Sequence, residues 1–339
     1  MDVNNRECRG TSDRLPTRAP WKRLPISLGL ILLTVLPCFG QKPDIRVRVP
    51  LIIAPTTVVD MQGQFVNGLK TMDFTLFDNG RPQRISDDVA FQPISLVIAV
   101  QCGGNVRWAL PKIQRIASVV DTLVVGEGGE AALIAFDYRV RTLQPFTRNS
   151  RNIAAALEKL YASGSKYRLL DAMEAATDLL TTRPAGRRRI LLLISESRDR
   201  GSETKLVPAI TDMQAANISV YAVVMNHLGT ALAEDPKARV PPPHAMLLDQ
   251  PLLELFRALR DHPVLAFTHF TGGKRYSFLK QRSLEDAISA IGDEIHGQYL
   301  LSYVPDNQGQ DGYHEIRVAV DRPHVAVRTR PCYWIAKAE

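Results

Sequence analysis

The stretch Ile94-Ser95-Leu96-Val97-Ile98-Ala99-Val100 decides the reading of this chain. Seven residues, almost all apolar and several β-branched, run without alternation and then stop at Gln101-Cys102-Gly103-Gly104-Asn105. A strand that faces solvent on one side alternates polar and apolar residues. An unbroken apolar strand must be covered on both faces, as in a parallel sheet flanked by helices. Three further runs have the same character: AALIAF (131–136), ILLLIS (190–195) and ISVYAVV (218–224). Between them lie helical periods. Pro111 suits a first helical turn, and Ile113, Ile116, Ala117, Val120 and Val124 follow at helical spacing. Similar stripes occupy 153–160, 169–180 and 206–216. Alternating buried strands and amphipathic helices predict an α/β fold with a doubly wound, Rossmann-like sheet.

Outward from this middle, the ends of the chain change character. Residues 45–49 and 51–59 read as strands, and FTLF (74–77) and PQRI (82–85) flank Asp78-Asn79-Gly80, where Asn-Gly accepts the positive φ of a tight hairpin. At the other end QYLLSYV (298–304), HEIRVAV (314–320) and VAVRTR (325–330) alternate apolar and polar residues. An all-β start and an all-β end are expected to pair into one small accessory region. Residues 227–249, with Pro236 and Pro241-Pro242-Pro243, interrupt the α/β rhythm as an insertion. Helical character resumes at 252–259. Ser283-Leu284-Glu285-Asp286 resembles a capping box opening a helix to about His296. The organisation expected is a leader over 1–40, a β accessory region over 41–92, an α/β domain over 93–297 and returning β strands over 298–339.

The leader carries Arg14, Arg18, Lys22 and Arg23 before an apolar run, Leu24 to Gly40. Small residues Cys38 and Gly40 stand at minus three and minus one of a cut after Gly40, as a signal peptidase requires. Seventeen residues of helix span roughly 25 Å, short of the hydrocarbon core. Export with cleavage is therefore expected, and an uncleaved anchor is the alternative and the only membrane contact foreseen. The compartment is then periplasmic or extracellular.

Composition excludes several classes. Of 339 residues, 45% are apolar and 23% charged, the balance of a globular chain. The formal net charge is +7, but six Lys/Arg and three Asp/Glu fall in the first 40 residues, leaving +4 for residues 41–339. That is too mild for a nucleic-acid partner, and aromatics, at 7%, are not interleaved with basic residues as a stacking platform needs. Arg187-Arg188-Arg189 before ILLLIS reads as a solvated loop leading into a strand. Four cysteines do not make a disulfide scaffold; after cleavage Cys102 and Cys332 remain as candidates for one bond. The seven histidines show no metal-ligand spacing; His262 and His269 flank a short VLAF helix. GxSxG and HExxH are missing, and Ser195-Glu196-Ser197 has no base placed by sequence.

These residues carry a family likeness. Over roughly Val47 to Trp334 the chain resembles the von Willebrand factor type A related proteins found as exported paralogues in acidobacteria. The resemblance rests on VVDMQGQFVNGLKTMDFTLFDNGRPQRI, ISLVIAV, FTGGKRYSFLKQRSLEDAISAIGDEIHGQYLLSYVP and HEIRVAVDRPHVAVRTRPCYW, in that order. It implies a Rossmann-like type A domain with a β accessory region. Members of the fold often hold Mg²⁺ through an Asp-x-Ser-x-Ser loop, a Thr shortly before an Asp-Ala pair and an Asp-Gly turn. The matching positions here are Gln101, Gly103, Asn105, Tyr167 and Glu196. One carboxylate survives among them, too few for an ion that gives up water reluctantly. The adhesion site is thus expected to be degenerate, with no metal or other cofactor and no catalytic residue. The function implied is a non-catalytic protein-interaction module with a protein partner, docking on the loops 101–110, 163–168 and 196–204; the alternatives are a hydrolase with a non-local site and a structural envelope component.

Overall fold

The computed structural model of the chain describes residues 51–86, 92–121, 125–225, 259, 261–278, 281–306 and 311–335. The chain divides into Met1–Val47 and Arg48–Glu339, and every described residue belongs to the second unit. The leader, the strand expected at 45–49, the insertion at 227–249 and all of the 252–259 helix except Leu259 lie outside the described residues.

The continuous apolar runs become the strands of one six-stranded sheet. They are β4 (Ile94–Gln101), β5 (Glu130–Phe136), β7 (Arg188–Ser195) and β8 (Ile218–Met225). Two shorter strands complete it: β6 (Val140–Thr147) and β9 (Arg275–Phe278). The order is β6-β5-β4-β7-β8-β9, parallel throughout except for β6, which runs antiparallel at one edge. All eight residues of β4 are buried. Their alternation assigns them to two cores. Leu96, Ile98, Val100 and Cys102 pack on one face with Ile113, Ile116, Val120, Leu157 and Ile291. Val97 and Ala99 pack on the other with Leu169, Met173, Ile210, Phe267 and Phe270. Each fully buried aliphatic side chain contributes about 1.5–3 kcal/mol through removal from water, so helices on both faces are what this strand composition demands.

Those helices are α1 (Leu110–Ile113), α2 (Ala117–Val120), α3 (Ser150–Glu158), α4 (Leu169–Thr181), α5 (Leu206–Ala215), α6 (Pro263–Phe270) and α7 (Gln281–Gly297). The single helix expected from Pro111 is broken into α1 and α2. The amides of Arg115 and Ile116 bond three residues back, at 3.2 Å each, tightening the turn. There Gln114 Nε2 donates to the carbonyls of Glu158 (3.2 Å), the last residue of α3, and Leu160 (3.0 Å) just beyond it. The apolar stripe still reaches the core because Ile113, Ile116, Ala117 and Val120 are all buried. Ser283 is not the cap of α7: the helix starts two residues earlier, which puts Ser283 inside its first turn. His262 precedes α6, as expected, but His269 lies inside its last turn, because the helix runs on to Phe270.

The described segments 52–83 and 299–335 form the all-β region. One sheet has the order β10-β1-β12 and the other β13-β11-β2-β3. They contain β1 (Ile52–Asp60), β2 (Phe74–Asp78), β3 (Arg81–Gln83), β10 (Tyr299–Tyr303), β11 (Gly312–Val320), β12 (Val325–Arg328) and β13 (Cys332–Ile335). Their inner faces share a core of Ala54, Val58, Leu76, Leu301, Tyr303 and Ile316. Asn79 (φ 48°) and Gly80 (φ 75°) make the hairpin between β2 and β3. Its second strand is Arg81–Gln83 rather than 82–85, because the pairing with β2 ends at Gln83. Inside this region Asp78 is wholly buried and accepts from Tyr303 Oη (3.0 Å) and Tyr333 Oη (2.5 Å), with His314 Nδ1 at 3.1 Å.

Arg187, Arg188 and Arg189 are not a solvated loop: all three are half-buried, and Arg188 and Arg189 open β7 itself. They lie at the amino end of the sheet and bond main-chain carbonyls: Arg187 to Ile94 (2.8 Å) and Gly128 (3.1 Å), Arg188 to Ile295, and Arg189 to Ala216 (3.0 Å) and Arg183 (2.7 Å). Arg187 also pairs with Glu130, which accepts from Arg183 Nε (2.9 Å) and Ser95 Oγ (2.7 Å).

Candidate functional site

In an open α/β sheet the crevice lies where strand order reverses, at the carboxyl ends of the strands. Here that point falls at β4, whose neighbours β5 and β7 are reached by connections on opposite faces. Gln101 ends β4, Glu196 follows β7, and Asp137 follows β5. The fold therefore gathers Gln101, Gly103, Asn105, Tyr167 and Glu196 from three loops at one end of the sheet.

Gln101 is fully buried and uses both ends of its amide. Nε2 donates to Gly103 O (2.8 Å) and to Glu196 Oε2 (3.0 Å), while Oε1 accepts from the Glu196 amide (2.8 Å). Loop one is thus stitched to loop three by a neutral side chain. Tyr167 packs into the same point. Its hydroxyl is hydrogen-bonded to Glu196, and burial first, then the Glu196 charge, push the phenol up to about 12. The Tyr167 main chain forms a two-way bridge with Arg200 (3.2 and 3.0 Å), and the Arg200 guanidinium lies 6.0 Å from its ring.

The glycines are fixed by close approach. A Cβ on Gly103 would lie 2.0 Å from the Lys166 carbonyl oxygen. Gly104 has φ +80°, and a Cβ there would meet Glu196 Oε2 and the Tyr167 ring, both at 3.1 Å. A hydroxyl-bearing residue at 103 therefore has no room while the 163–168 loop keeps this path. Asn105 is exposed at the rim.

The carboxylates near the three loops are otherwise engaged. Asp137, 2% exposed, accepts from the Arg139 amide (2.8 Å), Ser163 Oγ (2.5 Å) and Arg141 Nη2 (2.6 Å). Asp199 accepts from the Leu169 amide (2.8 Å) and Ser202 Oγ (2.6 Å), closing the amino end of α4 from a neighbouring loop. Burial pushes Asp171 up, but hydrogen bonds from Thr204 and the Glu203 amide, with Arg168 beside it, outweigh burial and hold the carboxyl below its usual range.

The donor set around Glu196 does not fit a hard cation. Such an ion needs several converging oxygens. Glu196 instead faces an amide NH₂, a phenol hydroxyl and a glycine that brings those groups close. Among the described residues no group of three or more His, Cys, Asp and Glu side chains is placed to hold a metal.

The two thiols do not bond. Cys102 and Cys332 are both free and buried, and they sit in the cores on opposite faces of the sheet. Strand alternation explains the separation: Cys102 continues the Leu96-Ile98-Val100 face, whereas Cys332, on β13, joins the core of α4, α5 and α6. Burial pushes both thiols up to about 12, so neither is a thiolate at neutral pH.

The basic character of the rim was not evident from the net charge. Arg107, Lys166, Arg198 and Arg200 are exposed, and among the described residues they enter no ion pair. A cleft of about 610 Å³ runs between 104–108 and 162–164, lined by Gly104, Arg107, Trp108, Ala162 and Gly164. These cations come from three separate loops, and of the four only Arg107 lines the cleft.

Residues 103–198 match the model of the von Willebrand factor type A domain. No curated protein matches the chain. Among solved structures, an aerotolerance-related membrane protein from Bacteroides fragilis is 16% identical, with a TM-score of 0.40 over 59% of this chain and 99% of that one. The conserved hypothetical protein BatB from Bacteroides thetaiotaomicron is also 16% identical, with a TM-score of 0.39 over 60% and 97%. A von Willebrand factor type A protein from Catenulispora acidiphila is 12% identical, with a TM-score of 0.45 over 85% and 64%. Among the described residues no helix is long and apolar enough to cross a membrane.

Proposed function

We propose that this α/β domain of the von Willebrand factor type A kind is a non-catalytic module that binds a protein partner at the carboxyl end of its sheet without a divalent cation. The observation that carries the reading is the Gln101 amide, which occupies Glu196 by donating to its carboxylate and accepting from its main chain. A cation entering there must break these bonds and the Tyr167 hydroxyl bond, and it gains one carboxylate in return. Affinity for a partner then comes from direct protein contacts.

The nucleophiles near the rim support a non-catalytic role. Cys102 is protonated at neutral pH, and Ser195, 1% exposed, spends its hydroxyl on the Glu196 carbonyl (2.8 Å). Export to the periplasm or beyond is part of the proposal and rests on Arg14, Arg18, Lys22 and Arg23 followed by the apolar run to Gly40.

Isothermal titration with Mg²⁺ and Mn²⁺ tests metal independence. The expected result is no saturable heat into the millimolar range. Micromolar binding that disappears in Glu196→Gln overturns the proposal.

A further inference from the structure

We infer that the cavity between the β region and the amino end of the six-stranded sheet binds a monocarboxylate with an apolar body, of the medium-chain fatty acid class, whose head is drawn by Arg188. The inference goes beyond the proposed partner site, which lies at the opposite end of the sheet.

Shape is the first ground. The cavity encloses about 510 Å³, and pockets of about 300–1,000 Å³ are those that take a small molecule. Its walls come from three places: the starts of β4 (Ile94) and β7 (Arg188), the last turn of α7 (Ile295 and His296), and the strands β2 (Phe74) and β10 (Leu301) of the β region. Phe74, Ile94, Val125, Ile295 and Leu301 are buried, and Leu69 and Ile85 are half-buried. An apolar chain laid against these side chains leaves water, which tightens binding about fourfold for each methylene enclosed.

Charge is the second ground. The ionisable side chains in the lining are Glu127, His296 and Arg188; the first two are exposed, whereas Arg188 is half-buried. Its guanidinium donates to the Ile295 carbonyl and to Gln298 Oε1, both neutral acceptors, and its buried Nε has no partner among the described residues. Nor does Arg188 enter an ion pair among them. The nearby acids are taken, Glu294 by Arg328 and Lys274, and Glu130 by Arg183 and Arg187. Burial pushes the Arg188 pKa down, as happens to a cation held where water is scarce. Taking a charge out of water costs free energy, and an opposite charge brought beside it offsets that cost. The Ser86 and Thr71 hydroxyls line the same cavity and can donate to a carboxylate.

Other ligand classes fit less well. A cationic head would meet Arg188 with only the exposed Glu127 in compensation. A neutral apolar molecule fills the walls but leaves Arg188 without a counter-charge.

Isothermal titration of the full chain tests this with decanoate, 1-decanol and decyltrimethylammonium, which share an apolar chain and differ in the charge of the head. The expected result is one saturable decanoate site, about tenfold tighter than decanol, and no site for the ammonium. Arg188→Met should remove the preference for decanoate over decanol. Because Arg188 also holds Ile295 and Gln298, Leu69→Trp is the second variant. It fills the cavity from a half-buried position outside the strands and should lower the affinity for decanoate and decanol alike by about tenfold or more. The inference is overturned if decanoate shows no saturable site, if the three ligands bind equally, if Arg188→Met keeps the preference for decanoate, or if Leu69→Trp leaves decanoate binding unchanged.

Discussion

At the amino end of the sheet Arg187, Arg188 and Arg189 spend their guanidiniums on main-chain carbonyls and on Glu130, whereas at the carboxyl end Arg107, Arg198 and Arg200 are exposed without an ion pair among the described residues. The residue type is the same at both ends. The difference lies in what surrounds it. The carbonyls at the start of β4, at the ends of α5 and α7 and in the turns at Gly128 and Arg183 converge there, and burying such groups without donors costs free energy. Three consecutive arginines meet that need and become structural. At the carboxyl end the loops satisfy themselves through Gln101, Asp137 and Asp199, so the cations there have no structural task. An arginine cluster marks a candidate interface only after its hydrogen bonds have been accounted for.

The contrast can be broken most forcefully at Glu130. Its carboxylate, 9% exposed, holds Arg183, Arg187 and Ser95 together. Glu130→Ala leaves two guanidiniums near the sheet without their counterion, and urea unfolding should register a loss of about 3 kcal/mol. Next comes a side chain introduced at Gly103. Gly103→Ser places a Cβ 2.0 Å from the Lys166 carbonyl, backbone against backbone. Loop two must shift, and a cost of about 2 kcal/mol is expected in the same assay; an unchanged midpoint would show that the loop yields freely and that the glycine has no steric basis. The smallest effect is expected from Arg198→Ala and Arg200→Ala, each within about 0.5 kcal/mol of the parent. A large loss in either would erase the distinction between the two ends.

The legibility of the chain follows the same division. ISLVIAV, AALIAF, ILLLIS and ISVYAVV could be placed in a parallel sheet because burial on both faces forces an unbroken apolar run. The edge strand β6 could not: Val140–Thr147 is half-exposed, polar and interrupted by Pro145, since one side of it has no neighbour to bury against. The four-residue β9 is too short to show a period. The stripe after Pro111 reported the buried face correctly and the helix length incorrectly, because periodicity counts side chains that point inward and is blind to where the hydrogen-bond ladder tightens.

At the site, the resemblance pointed to Gln101, Gly103, Tyr167 and Glu196, and the fold brings them together. Their mutual bonding was not legible. That Gln101 donates to the very carboxylate left behind depends on a separation of 95 residues in sequence closing to 3.0 Å. The rim cations were hidden for a similar reason, since net charge averages over groups that ion pairing later removes.

The sequence by itself determined the layers of this protein: which runs are strands, which faces are apolar, and that the segments on either side of the α/β domain are β. These follow from local periodicity, which hydrophobic burial reads directly. Only the tertiary structure decided which polar groups meet. It separated Cys102 from Cys332 across the sheet, locked one arginine cluster onto carbonyls and left another in water. Hydrogen bonds and ion pairs act over a few ångströms, and distances of that order are set by how distant segments pack.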